Sequence, residues 1–368
     1  MSAQVPPTIA RVWPASGGTN GTYVNIQGLR GVAAVMVMFI HLLSTRDGMG
    51  ADWLKYHYWW LGPAGVDIFF VISGCIVTVA AVRAADHRAA LAFGVRRLLR
   101  IYPLYWCVLA AAVPASAVLV LAPAWLPRNS AWELVSLLTS NNTKVLAAWT
   151  LCYEVMFYAV LTALVALAPR RLFAALAAWV GLECVLVVLA RTLIPAWKDW
   201  PFASPLVLEF ALGIGVALVI QRGVRGAGIG ALALGLLGFA VGVVLNARYG
   251  SWDHAWRFFC FGIPSALIVY GLIAIERGCG WTLPGWLLRT GDASYSLYLW
   301  HQLVFAALAG LTLRVHGYES VPAHLLLVIW FAIAVGVGFA SFRWIEAPIL
   351  RLSHGLFRRR PAEQGAPA

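Results

Sequence analysis

Charge is what this chain of 368 residues has least of: 11% of it is Asp, Glu, Lys or Arg, against 61% hydrophobic. Soluble domains carry about 25% charged residues, so a water-soluble globular class is excluded. Acids are scarcer than bases, 15 against 27, which leaves a formal charge of +12. The bases do not form the single patch that nucleic acid requires; they fall between apolar runs, and no nucleic-acid partner is expected. Only six Cys occur, without CxxC or other metal spacing. Five of them (Cys75, Cys107, Cys152, Cys184 and Cys260) fall in apolar runs and Cys279 outside. All are read as small buried apolar residues, neither disulfides nor ligands, and no metal is expected. P-loop, Rossmann, HExxH and GxSxG patterns are missing, which removes most support for nucleotide hydrolysis or serine-hydrolase chemistry. The first 25 residues lack a cleavable signal pattern, so the first span is expected to direct insertion.

What is present is a series of apolar windows long enough to cross a bilayer. They predict helices at 26–44, 62–82, 101–121, 147–168, 172–190, 204–221, 228–246, 258–275, 294–313 and 323–342. The 18 Trp suit the aromatic belts at membrane interfaces. The fold class that follows is an all-α polytopic membrane protein of about ten transmembrane helices with both termini cytoplasmic. That orientation gathers 18 of the 27 Lys and Arg inside, including the clusters Arg83–Arg100 and Arg343–Arg360. Residues 1–25 form a cytoplasmic N-terminal segment, 26–348 the transmembrane domain and 349–368 a cytoplasmic tail. The end of that tail, PAEQGAPA, is expected to be disordered.

The stretch Gly28–Leu43, GLRGVAAVMVMFIHLL, is apolar yet carries Arg30 and His41. Ionisable groups inside a span are costly and mark functional cavities. Eleven residues, about three turns, put both on one face, with one basic group roughly 16 Å deeper than the other. Orientation turns each buried polar residue into a depth. His41, Asp67 and Glu154 form an outer layer suited to taking a proton from an acceptor hydroxyl, with imidazole as the base and a carboxylate to orient it. Arg30, His301 and the run RRLLRIYP form an inner layer. There Arg97 and Arg100 share a helical face with Arg96 beside them, as phosphate recognition requires. Each has a plainer explanation: polar groups bonding one another to hold helices, Arg-rich loops that only set topology, and a packing histidine beside Trp300. Glu183 and Glu209 are buried acids without an assigned partner. Arg343 and Glu346 read as a structural ion pair, and Ser73-Gly74 as a close helix contact.

The blocks LRGVAAVMVMFIH, GPAGVDIFFVISG, RRLLRIYPLYW, WTLCYEVMFY and SYSLYLWH, with a terminal IEAP, cover residues 28–348. In that order the chain resembles the acyltransferase-3 family of integral-membrane enzymes, which O-acylate bacterial cell-surface glycans. It is most similar to the exopolysaccharide acetyltransferases of the succinoglycan type, departing at Cys75 and Cys152. The resemblance implies a bacterial inner-membrane enzyme with acetyl-CoA as donor and a glycan or lipid-linked glycan as acceptor. Polysaccharide biosynthesis proteins are further possible partners it suggests. It implies Arg97, Arg100 and neighbouring Arg96 on CoA phosphates, Arg30 lining the donor channel, His41 as general base or transient acyl carrier, and Glu154 and Asp67 orienting His41 or contacting the sugar. His301 falls on the family's histidine and is grouped with the donor side. Relatives fused to an extracytoplasmic esterase-like domain are longer, so acyl delivery is expected to be direct or through a separate partner. Two other classes fit buried charges in a ten-helix protein: a transporter or flippase of a glycan or its lipid-linked precursor, and a non-catalytic assembly partner.

Overall fold

The computed structural model describes residues 23–356 except 46–58, 60, 85–86, 120, 122–128, 141, 198–199, 224–225, 250–252, 313 and 316–320. Most of the expected N-terminal segment and the end of the tail lie outside these. Among the described residues every regular element is a helix. The ten expected spans correspond to α1 (Val24–Ser44), α2 (Leu61–Arg83), α3 (His87–Ala115), α5 (Trp149–Leu167), α6 (Leu172–Thr192), α7 (Val207–Gln221), α8 (Gly228–Tyr249), α9 (His254–Cys279), α11 (Ser294–Thr312) and α12 (Ala323–Ser341). Three short helices complete the order: α4 (Ala131–Ser136), α10 (Gly285–Asp292) and α13 (Ala347–Leu356). Among the described residues eight segments are long and apolar enough to cross a membrane; α7 is a shorter apolar helix, and α11 opens with the mixed polar and apolar run SYSLYLWH.

Two boundaries differ from the sequence expectation, and both matter. Helix α3 begins at His87, so the Arg run sits within its helical body; it ends at Ala115, just past Pro114. Helix α9 begins at His254, capped by the Asp253 side chain on the Ala255 amide, and therefore includes Arg257. Counting apolar residues starts a helix too late when its first turns are basic.

Helix α2 is the centre of the bundle, with 78% of its spanning window buried against 17% for α8. In a bilayer the lipid is as apolar as Leu, so close packing and polar contacts hold helices together. Gly74 and Gly213 let α2 and α7 touch: a Cβ on Gly74 would come within 2.3 Å of the Phe210 carbonyl oxygen. Gly31 of α1 likewise meets Gly291 of α10, whose amide nitrogen would lie 2.8 Å from an added Cβ. Cys75, Cys152 and Cys260 are buried as expected, whereas Cys107, Cys184 and Cys279 face outward; all six are free thiols.

Helix α1 has no side-chain cap of its own. Its first amides, at Val24 and Asn25, donate to the Glu276 carboxylate of α9, at 2.9 and 2.7 Å. A carboxylate there also complements the helix dipole. The Asn25 amide group donates to the Leu272 and Trp281 carbonyls and its oxygen accepts from Leu283 N–H, which fixes the start of α1 against α9 and the chain leading to α10.

Candidate functional site

A cavity of about 50 Å³ opens between α1, α2, α3, α5 and α11. That is room for a few waters or a group of acetyl size. Its polar wall is Arg30, Arg100, Thr150, Glu154, Ser294, Tyr295 and Tyr298; Val66, Phe69 and Phe70 supply much of the apolar wall. Arg30, Arg100 and Glu154 come from within the bodies of their helices, whereas Thr150, Ser294 and Tyr295 stand in the first turns of α5 and α11. Glu154 accepts hydrogen bonds on one oxygen from Ser73 (3.1 Å) and Tyr158 (2.8 Å). Tyr298 shares a 2.8 Å hydrogen bond with Thr150, which anchors the ring on the cavity wall.

The guanidinium of Arg30 faces this space with no hydrogen bond or ion pair to any described residue, although Glu154, Glu346 and Arg100 are within electrostatic reach. Arg97 lies over the Phe93 ring at 5.5 Å, and Glu154 and Tyr158 are within electrostatic reach of it. Three guanidinium groups thus converge on two carboxylates, Glu154 and Glu346. The excess is positive, which suits an anion. Arg96 is half-buried beside them.

His41 and His301 meet. Nδ1 of His41 lies 2.8 Å from the Val37 carbonyl oxygen and 3.2 Å from Nε2 of His301, whose own Nδ1 is 3.3 Å from the Leu297 carbonyl oxygen. A carbonyl oxygen can only accept, so each Nδ1 carries the proton. The single Nδ1 proton of His41 is directed at the nearer Val37 carbonyl, with Nε2 of His301 as the longer second acceptor of a three-centre bond, and Nε2 of His41 keeps its lone pair with no hydrogen-bond partner among the described residues. That is the protonation state a general base requires. The His301 ring, fully buried, stands 5.9 Å from the Tyr298 ring of the cavity wall.

The expected layers therefore regroup. His301 belongs with His41 because Gly31 touches Gly291, and each histidine lies ten residues further along a roughly parallel path, about 15 Å. Glu154 belongs with Arg30 and Arg100. Asp67 joins neither histidine: both its oxygens accept from Arg257 Nη2, at 3.1 and 3.0 Å, a pair that is 0% and 2% exposed. Arg257 was legible only as a loop charge, since it precedes the apolar run by one residue. The expected Arg343–Glu346 pair does not form. A π-helical turn, Phe342–Glu346, leaves Arg343 exposed and turns Glu346 inward, where it accepts from the Ser296 hydroxyl (2.6 Å) and amide (3.2 Å).

The profile of the acyltransferase-3 family, described as an acyltransferase domain, matches residues 23–342. The chain is 30% identical to the exopolysaccharide production protein ExoZ of Rhizobium meliloti (strain 1021), over 80% of this chain and 92% of that protein. It is 27% identical to the acyltransferase MdmB of Streptomyces mycarofaciens, covering 92% and 93%. Nodulation protein 10 of Rhizobium leguminosarum bv. viciae is 28% identical, covering 94% and 98%. No solved structure shows a significant match.

Proposed function

Because the chain belongs to the acyltransferase-3 family, whose profile covers residues 23–342, we propose that it transfers an acyl group, most simply acetyl, from cytoplasmic acyl-CoA to a hydroxyl of an exopolysaccharide or other cell-surface glycan. It works in the bacterial inner membrane with both termini in the cytoplasm, and residues 26–348 form the acyl-transfer domain. The similarity to an exopolysaccharide production protein supports the acceptor class. One observation carries the reading. A single helix presents an unpaired guanidinium, Arg30, and an imidazole with a free Nε2, His41, on one face.

Nε2 of His41 takes the proton of the acceptor hydroxyl as its oxygen attacks the thioester carbonyl. The C–O bond forms, the C–S bond breaks, and the thiolate of CoA leaves with the proton that His41 took up, which returns the imidazole to its neutral form. Until then the charge on His41 is shared through Nδ1–H with Nε2 of His301, the part played by a carboxylate in hydrolase triads. Arg30, Arg97 and Arg100 with Arg96 hold the anionic donor, and Glu154 keeps that basic group oriented through its neighbours. Asp67 positions α2 through Arg257 and takes no part in proton transfer.

The test is acyl transfer in proteoliposomes, with labelled acetyl-CoA on the cytoplasmic face and glycan on the other. Label on glycan that requires His41, with Arg97→Ala restored by raised CoA concentration, supports the reading. Glycan that crosses unlabelled makes the protein a transporter instead.

A further inference from the structure

A second ionisable cluster lies outside the acyl-transfer cavity. Asp67 of α2, Glu209 of α7 and Arg257 of α9 are each at most 2% exposed. Arg257 Nη2 holds both Asp67 oxygens and donates to the Pro63 carbonyl at 3.0 Å. Glu209 lies against Asp67, close enough for the two carboxyls to share a proton, and within electrostatic reach of Arg257. Without such a proton neither Glu209 oxygen has a hydrogen-bond partner among the described residues, nor does Nε of Arg257. The other polar groups here are Cys260 of α9, within electrostatic reach of Asp67, and Asn246 of α8, whose Nδ2 donates to the Gly242 carbonyl while its buried oxygen has no partner.

The charges do not balance. With both carboxyls ionised, a single guanidinium leaves one negative charge buried in the bundle, a state that needs a compensating cation. A carboxyl with both oxygens unbonded is also the state that buried polar groups avoid. The cluster is built, not incidental: Gly74 and Gly213 bring α7 close enough to set Glu209 beside Asp67. A π-helical turn, Phe258–Gly262, follows Arg257, and Glu209 packs on Gly262. Such turns recur at functional sites.

We propose that Asp67, Glu209 and Arg257 form a binding site for one small monovalent cation, a proton or an alkali-metal ion, held at Glu209. The site is separate from the cavity but shares α2 with it. Asp67 neighbours Val66, which lines the cavity, but is turned about 100° from it round the helix, so the two sites use different faces of α2.

Two measurements on the full-length protein in nanodiscs test this. Thermal unfolding is followed in sodium chloride and in choline chloride at equal ionic strength, at pH 6 and pH 8. Infrared spectra are recorded at the same pH values for the stretch of a protonated carboxyl, with its deuterium shift. Sodium-specific stabilisation in the wild type that Glu209→Gln abolishes identifies a metal ion. A protonated carboxyl band at pH 8 that Glu209→Gln removes, without any sodium effect, identifies a proton. If the Gln variant does not fold, Glu209→Asp must move the band or weaken the sodium response. A wild type with neither signal, or a signal that survives both substitutions, overturns the proposal. Failure here leaves acyl transfer untouched, because that reading is scored by label on glycan alone.

Discussion

Nε2 of His301 stands 3.2 Å from Nδ1 of His41, although 260 positions separate them in the chain. A neutral imidazole thus occupies the place that an acid fills in many catalytic triads. It shares the Nδ1 proton of His41, whose tautomer the Val37 carbonyl sets, without adding charge to an apolar interior, where a carboxylate would need its own counter-ion.

The two histidines should fail differently. His41→Ala should lose on the order of 10²- to 10⁴-fold in turnover, the usual contribution of a general base. His301→Ala removes one hydrogen bond to a charged group, about 10- to 100-fold. It should also move the acid limb of the pH–rate profile while leaving the KM for acyl-CoA unchanged. Steady-state rates across pH check both, and an unaltered profile would reduce His301 to a packing residue.

Arg30→Lys should behave as a loss and not as a conservative change. A planar guanidinium offers five donors in a fixed fork, whereas an ammonium is a point charge on a flexible stem. The expected result is a rise in the KM for acyl-CoA of about 10-fold or more, read from donor titrations at fixed acceptor. Glu154→Gln should lower turnover too, because it weakens the carboxylate that Ser73 and Tyr158 hold beside the arginines.

Arg257→Met should be worse for stability than a double change. Removing the one guanidinium leaves the buried Asp67 carboxylate, with Glu209 beside it, without a counter-charge, at about 3–5 kcal/mol, whereas replacing both partners of a buried pair by apolar residues is often near neutral. Asp67→Leu with Arg257→Met should therefore unfold at a higher temperature than Arg257→Met alone, measured by thermal unfolding in detergent.

Gly74→Leu should separate α2 from α7. The backbone of Phe210 fills the space that the new side chain needs and cannot rotate away. Overpacking costs about 1–3 kcal/mol where side chains can give, and more where backbone must. Loss of folded protein by size-exclusion chromatography is the expected outcome, while Gly181→Leu, where an added Cβ would meet nothing, should be tolerated.

Helix positions were legible in the sequence, because apolar length is a local signal. On the cavity wall Arg30, Arg100 and Glu154 could be singled out as in-span or clustered charges, whereas Thr150, Ser294, Tyr295 and Tyr298 carry no such signal. Partnerships were not legible. Asp67 looked available to His41 until Arg257, one residue outside an apolar window, turned out to be inside α9. His301 looked cytoplasmic because depth was counted from the start of its own helix. The short helix α10 is only weakly apolar, yet it carries the start of α11 up to the level of Gly31. Contacts that join residues 190 and 260 positions apart depend on how helices pack, and no window of sequence contains them.

The start of α1 has a bearing on biosynthesis. Its first amides are satisfied by Glu276, about 250 positions downstream. During translation the helix that bears Arg30 and His41 enters the membrane first, yet it cannot settle into its final seat until α9 has been made. Most of the chain is synthesised while the reactive helix still lacks its anchor, so a protein truncated before residue 276 would carry both functional residues and hold neither in place.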